Sequence, residues 1–173
     1  MSIRLFEFGK LALNAFALIA LSLWFGGFTF YSGFVLWILH DRLGSLDAGF
    51  ITQEVSTDLN WIGASAVILC WLMFAADPAL RRGWLGRGRI LLLTATTILL
   101  AILFPLHRVL DDRLERHGLS GFYRIHRYYL IVATAQWGIN AALLALSFGN
   151  RVSVPKRQGA TLDETTRQRV GQR

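Results

Sequence analysis

The hydrophobic residues of this chain form four long runs that contain no charged side chain and no histidine. These runs cover residues 11–39, 59–76, 90–106 and 128–150. An α-helix rises about 1.5 Å per residue, so about 20 apolar residues cross the roughly 30 Å hydrocarbon core of a bilayer. Four runs of this kind predict four transmembrane helices, and therefore an all-α, polytopic membrane protein.

The helical spacing of apolar residues continues beyond these runs, which predicts helices longer than a bilayer requires. The first helix is predicted to end at Gly44, because glycine readily adopts the left-handed conformation that ends helices. The second is predicted to run from Leu46 to a stop at Asp77–Pro78, and the third to continue through Pro105 to His117. We therefore expect an antiparallel bundle with helix extensions on its outer face.

The Lys and Arg residues that flank the runs predict the orientation of the helices. Twelve of them lie on the face that contains both termini, and six lie on the opposite face. Because cytoplasmic loops carry an excess of these residues, both termini are predicted to be cytoplasmic. Residues 81–89, which hold three glycines and four arginines, are predicted to form the inner turn. Residues 1–150 then form one transmembrane domain, and the polar segment 151–173 is predicted to be a disordered cytoplasmic tail.

The composition excludes several functional classes. Hydrophobic residues make up 54% of the chain and charged residues 17%, against about 25% charged residues in soluble domains. The net charge of +7 comes from cations beside the spans rather than from a basic stripe, so the predicted partner is the lipid bilayer and not nucleic acid. Cys70 is the single cysteine, and no serine or cysteine has a recognisable catalytic base beside it. A non-enzymatic role is therefore favoured over hydrolysis.

Three histidines are predicted to lie at the same level of the bundle, near its outer face. His40 ends the first run, His107 ends the third and His126 precedes the fourth, while Asp111 shares a helical face with His107. Imidazoles with a carboxylate can bind a transition metal, and paired imidazoles can bind haem, for electron transfer or metal handling. The alternative is that these histidines are ordinary interface residues without a ligand.

Small residues recur at helical spacing on the first and fourth helices. Such stripes allow another helix to approach closely, which is how membrane helices commonly associate. They could pack the protein's own helices or those of another subunit or a second copy. They favour a scaffold, assembly factor or accessory subunit as the leading functional hypothesis. The stripes contain Ser22, Gly26 and Gly33 on the first helix, and Ala135, Gly138 and Ala142 on the fourth.

Two amide side chains, Gln136 and Asn140, are predicted to share one face of the fourth helix. Amides inside a membrane commonly form hydrogen bonds between helices, which predicts a packing role. The alternative is that they line a polar passage for a small solute.

Several short motifs resemble the small bacterial membrane proteins of domain of unknown function 4149, which are similar to transmembrane protein 205. The segment LWFGGFTFYSGFV resembles the first span of that family, FPLHRVLDD around His107 is similar to the end of its third span, and GFYRIHRYYLIVATAQWGIN resembles its fourth. The matching positions are Trp24, Gly26, Gly27, Phe28 or Phe30, Phe122, His126 and Asn140. The resemblance implies four spans in the bacterial cytoplasmic (inner) membrane, no established catalytic activity, and a role to test at His126.

Overall fold

A computed structural model describes residues 2–117 and 122–149, and nearly all of these residues are helical. In chain order the elements are α1 (Ser2–Phe30), a π-helical segment (Tyr31–Val35), α2 (Leu36–Ala76), a 3-10 segment (Pro78–Arg81), α3 (Gly83–His117) and α4 (Phe122–Gly149). The predicted tail, residues 151–173, lies outside the described residues.

Four stretches of these helices are long and apolar enough to cross a membrane, as the hydrophobic pattern predicts. We number them spans 1 to 4. They are Leu5–Ser45, Asp47–Ala76, Gly83–Arg113 and Arg124–Ser147. The prediction of four long apolar helices is therefore confirmed.

Gly44 separates the first span from the second. Its backbone has φ 78° and ψ 174°, so the helical conformation is interrupted inside α2. This region of backbone space is essentially restricted to glycine, because a Cβ atom is sterically disfavoured there. The predicted end of the first helix at Gly44 is confirmed. Beyond the break, the Tyr31 hydroxyl donates a hydrogen bond to Thr52 Oγ1 over 3.0 Å and joins the two spans near the turn.

The turn between spans 2 and 3 ends earlier in the chain than the sequence predicted. Asp77 and Pro78 end the second span as expected, and Asp77 Oδ1 accepts a hydrogen bond from the Ala79 amide over 3.0 Å. The prediction of a turn through residues 83–89 is wrong, because α3 already begins at Gly83. Gly86 makes this early start possible, since a Cβ atom at Gly86 would collide with the backbone of Arg81.

Arg89 belongs to α3 rather than to a loop, and its side chain is buried. One of its guanidinium nitrogens donates a hydrogen bond to the carbonyl oxygen of Leu146, near the end of α4. The carbonyls of the last helical turn have no partner within their own helix and carry partial negative charge. Arg89 therefore stabilises the end of α4 and joins it to the start of α3.

Neighbouring spans contact each other along their lengths, and span 1 also contacts span 4. As the residue number rises in span 1, that of its contact in span 2 falls. The pairs are Trp24 with Gly63, Gly27 with Leu59 and Tyr31 with Thr52. Spans 3 and 4 are paired in the same opposed order, through Arg89 with Leu146, Thr96 with Asn140 and His107 with Tyr129.

A shared apolar core holds the four spans together. Each span contributes at least one fully or almost fully buried side chain, and the central cluster includes Leu21, Trp24, Val67, Phe74, Leu93 and Leu143. Trp24 is only 3% exposed and lies against Gly63, where the absence of a side chain leaves room for the indole ring. The close approach of spans 1 and 2 therefore depends on Gly63.

Six residues of the two predicted small-residue stripes lie on exposed surfaces of their spans. They are Ser22, Gly26, Gly33, Ala135, Gly138 and Ala142. A Cβ atom added at any of the three glycines would have no other atom within 4 Å apart from its own local helix. Packing within the protein uses Gly63 and Gly27. The contact of the stripes with a partner stays a prediction.

Candidate functional site

A cavity of about 230 Å³ lies between the four spans, at the end where Gly44 joins spans 1 and 2. We call it the histidine cavity, because His40, His107 and His126 all line it. The other lining residues are Phe28, Tyr31, Ser32, Leu36, Ser45, Gly49, Thr52, Gln53, Ser56, Leu110, Tyr129, Leu130 and Ala133. The structure thus brings together three histidines that are separated by up to 86 positions in the sequence.

His107 is held rigidly in the wall of this cavity. Its side chain is buried, and its Nε2 atom lies 2.8 Å from Thr57 Oγ1 and 3.1 Å from the carbonyl oxygen of Gln53. The Thr57 hydroxyl also donates to the Gln53 carbonyl over 3.0 Å, so its proton is already used. The tautomer that carries the proton on Nε2 would donate it to these oxygens. Asp111 Oδ1, 3.6 Å from the same nitrogen, favours this assignment.

His126 and His40 occupy different positions in the cavity wall. His126 is half-buried, and its ring stacks on Tyr129 with a centroid distance of 6.5 Å and an interplanar angle of 13°. Tyr129 also contacts His107, at a centroid distance of 5.7 Å. His40 is exposed at the edge of the cavity. A single tyrosine therefore joins two of the imidazoles, while the third lies at the rim.

The predicted metal site at His40, His107 and His126 stays a prediction. Thr57 and the Gln53 carbonyl occupy Nε2 of His107, so only its Nδ1 could bind a metal. Within residues 2–117 and 122–149, no group of three or more His, Cys, Asp or Glu residues is arranged to hold a metal ion. The volume of the cavity, about 230 Å³, is below the roughly 300 Å³ at which pockets for drug-sized molecules begin, so small molecules suit it best.

Sequence reasoning missed two features of the cavity. The hydrophobic pattern did not single out Tyr129, but its side chain is buried and lines the cavity. The missed signal is its spacing, because His126, Tyr129, Leu130 and Ala133 follow the helical steps of +3, +1 and +3. The second feature is the π-helical segment that begins at Tyr31, for which the sequence carries no clear signal. Such segments occur often at functional sites.

The two predicted intramembrane amides, Gln136 and Asn140, are both buried. Asn140 Oδ1 accepts a hydrogen bond from Thr96 Oγ1 over 3.2 Å, which joins spans 4 and 3. This is the kind of contact between helices that a packing role predicts. Gln136 lines a second, much smaller cavity at the centre of the protein, which is separate from the histidine cavity.

Comparison of the chain with protein-family models, with curated proteins and with solved structures found no match. The arrangement around the histidine cavity must therefore be interpreted from its own chemistry.

Proposed function

We propose that the protein is embedded in a membrane as an antiparallel bundle of four spans. Large apolar side chains are exposed on every span, including Leu23, Leu72, Leu91 and Ile131. Exposed apolar surface on this scale is unfavourable in water and favourable against lipid tails. The opposed order of the contacts between spans supports the antiparallel arrangement.

The orientation that we propose places the histidine cavity on the outer side of the bacterial cytoplasmic membrane and both termini in the cytoplasm. Its support is the excess of Lys and Arg on the face that contains the termini. The resemblance to domain of unknown function 4149 agrees with this location and remains part of the proposal.

We propose that the histidine cavity binds a small, uncharged, amphipathic molecule. The observation that carries this function is the composition of its wall. None of the described residues that line it is Asp, Glu, Lys or Arg, whereas Tyr31, Thr52, Gln53 and Ser56 offer polar groups. A permanently charged ligand would lose its hydration without meeting a carboxylate, a lysine or an arginine in this wall, which is costly in such a site. A neutral molecule with hydrogen-bonding groups suits this wall best.

The size of the cavity and its apolar residues narrow the range of possible ligands further. An engineered protein cavity of about 150 Å³ binds benzene, so about 230 Å³ can hold a molecule with one or two rings or a short chain. Phe28, Leu36 and Leu110 supply apolar surface for such a group. Ser32 and Leu130, which are exposed on spans 1 and 4, give the cavity a side that faces the surroundings of the helices. The ligand would enter there from the lipid.

The test of this function uses 2-naphthol, a neutral two-ring molecule with one hydroxyl group. Equilibrium dialysis against the protein in lipid nanodiscs, with empty nanodiscs as the background, should reveal saturable binding of 2-naphthol. Ser32→Trp, which adds a large side chain at the cavity wall, should weaken that binding about tenfold, or about 1.4 kcal/mol.

Ser22→Trp is the matched control for this experiment. Ser22 is also an exposed serine on span 1, but it does not line the cavity, so the variant should bind 2-naphthol like the unmodified protein. The proposal fails if binding never saturates above the nanodisc background, or if the two tryptophan variants bind equally well.

A second candidate function is favoured by the exposed stripes of small residues. We propose that they accept a helix of another membrane protein or of a second copy, so that the protein acts as a scaffold, assembly factor or accessory subunit. Gly26 and Gly138 have open space where a side chain would be, which would let a partner helix approach closely.

Light scattering coupled to size-exclusion chromatography in mild detergent tests this second function. The protein should elute as a complex larger than its monomer of 19.5 kDa, and Gly26→Leu or Gly138→Leu should dissociate that complex. Thr94→Leu, an exposed change on span 3, is the control and should leave it intact. A monomer in all four samples would rule out self-association and strongly bound partners.

A further inference from the structure

A second cavity lies at the centre of the protein, and its volume is about 10 Å³. Residues from all four spans line it, so it lies where the four spans meet rather than between one pair of helices. These residues are Trp24, Phe25 and Phe28 of span 1, Asn60 of span 2, Leu103 of span 3, and Ala133, Gln136, Trp137 and Asn140 of span 4.

Two amide side chains in this cavity have hydrogen-bonding atoms that the protein does not satisfy. Gln136 is only 3% exposed, and neither its Nε2 nor its Oε1 atom forms a hydrogen bond with a described residue. Asn60 is 6% exposed, and its Nδ2 atom likewise forms none. Buried amide groups without partners are strongly destabilising, and native proteins rarely keep them in that state.

We infer that this central cavity binds one water molecule. To hold a single water molecule, a cavity needs a volume of about 10–15 Å³ and two to four polar partners. The water can accept a hydrogen bond from Asn60 Nδ2 and donate one to Gln136 Oε1. Asn140 Oδ1, which already accepts from Thr96, has a second lone pair for the other proton of the water.

The chemistry of the wall selects water over an ion. The polar groups at the cavity are the neutral amides of Asn60, Gln136 and Asn140, and the remaining lining residues are apolar or aromatic. A cation or anion of the same size would be desolvated without any opposite charge among these lining residues. Water has the right size, is neutral, and both donates and accepts hydrogen bonds.

This water would extend a hydrogen-bonded path from the histidine cavity into the centre of the protein. Both cavities share Phe28 and Ala133 in their walls. The Tyr129 side chain, which lines the histidine cavity, lies near Ser56 and Asn60. From Asn60 the path continues through the bound water to the two amides of span 4, and then to Thr96 of span 3. Spans 2, 3 and 4 are thereby joined by polar contacts at their centre.

X-ray radiolytic labelling of the protein in lipid nanodiscs tests the inference directly. Radiation converts a bound water into a hydroxyl radical that modifies the nearest side chains, so a buried residue is labelled only if water lies beside it. Leu103 lines the central cavity and is 3% exposed, while Leu93 is fully buried and lines neither this cavity nor the histidine cavity. Because the two residues are of the same type, their intrinsic reactivity is equal. We expect Leu103 to be labelled several-fold more than Leu93.

Two variants test whether the amides of Gln136 and Asn60 hold the water that labels Leu103. Gln136→Met keeps the length of the side chain but removes both hydrogen-bonding atoms, and should reduce the labelling of Leu103 to the level of Leu93. Asn60→Leu should do the same by removing the other partner, which guards against a single variant that fails to fold. Equal labelling of the two leucines in the unmodified protein would overturn the inference. So would labelling of Leu103 that persists in both variants, since these amides would then not hold the water.

Discussion

Replacing Gly63 with alanine should lower the thermal stability of the protein markedly, although the substitution adds only one methyl group. A Cβ atom at this position would overlap the indole ring of Trp24, which is buried and cannot move into open space. Overpacking of this kind costs about 1–3 kcal/mol. At about 2–4 °C per kcal/mol for a chain of this size, the midpoint of unfolding in detergent should fall by roughly 5 °C.

Gly9→Ala provides the control, because it makes the same chemical change on an exposed helical surface outside the stripes, with no atom within 4 Å of the new methyl group. Its midpoint should match that of the unmodified protein. Combining Gly63→Ala with Trp24→Leu should cost less than the sum of the two single changes, since the smaller side chain makes room for the methyl group. An unchanged midpoint in Gly63→Ala would contradict the contact between spans 1 and 2.

Gly44→Ala should also destabilise the fold strongly, but through the backbone rather than through packing. No other atom lies within 4 Å of a Cβ atom at Gly44, so the substitution creates no collision with a neighbouring residue. Its φ of 78° and ψ of 174° are instead disfavoured for any residue with a side chain, at a cost of about 1–3 kcal/mol. Unfolding of the purified protein by increasing mole fractions of SDS should therefore occur at a lower mole fraction in this variant.

Gly9→Ala separates the backbone effect from a general effect of losing a glycine. Gly9 is helical and exposed, and a Cβ atom there also meets nothing within 4 Å. This control should unfold at the same SDS mole fraction as the unmodified protein. If the two alanine variants behave alike, the turn between spans 1 and 2 does not require the conformation that Gly44 adopts.

The components of the histidine cavity could be identified from the sequence, but its chemistry could not. Because successive spans are predicted to cross the membrane in opposite directions, the sequence predicted that His40, His107 and His126 lie at one level of the bundle. All three line the same cavity. The sequence suggested a metal or haem site because imidazoles commonly serve as ligands, and that site stays a prediction. What the sequence did not indicate is that His107 Nε2 lies within hydrogen-bonding distance of Thr57 and the Gln53 carbonyl. Such pairings depend on the rotation of each helix about its axis, which sequence spacing within one helix does not fix.

The small-residue stripes also show that sequence spacing does not fix the rotation of a helix about its axis. Their spacing correctly places the residues on one face of each helix, but it carries no information on whether that face is directed inward or outward. In the structure Gly26 and Gly138 are exposed, and the close contact is made by Gly63, which belongs to no stripe. The packing role of a single glycine opposite a large buried ring cannot be predicted until the position of the ring is known.

The sequence by itself determined the number of long apolar helices, along with the turns at Gly44 and Asp77, because these depend on local hydrophobicity and on the conformational preferences of single residues. Only the tertiary structure decided which faces meet, which histidines share a cavity, and that Gln136 and Asn60 line one small central cavity. The physical reason is that lipid-facing and core-facing residues in a membrane helix are equally apolar. Hydrophobicity then identifies a span, while close packing and a few polar contacts set its rotation.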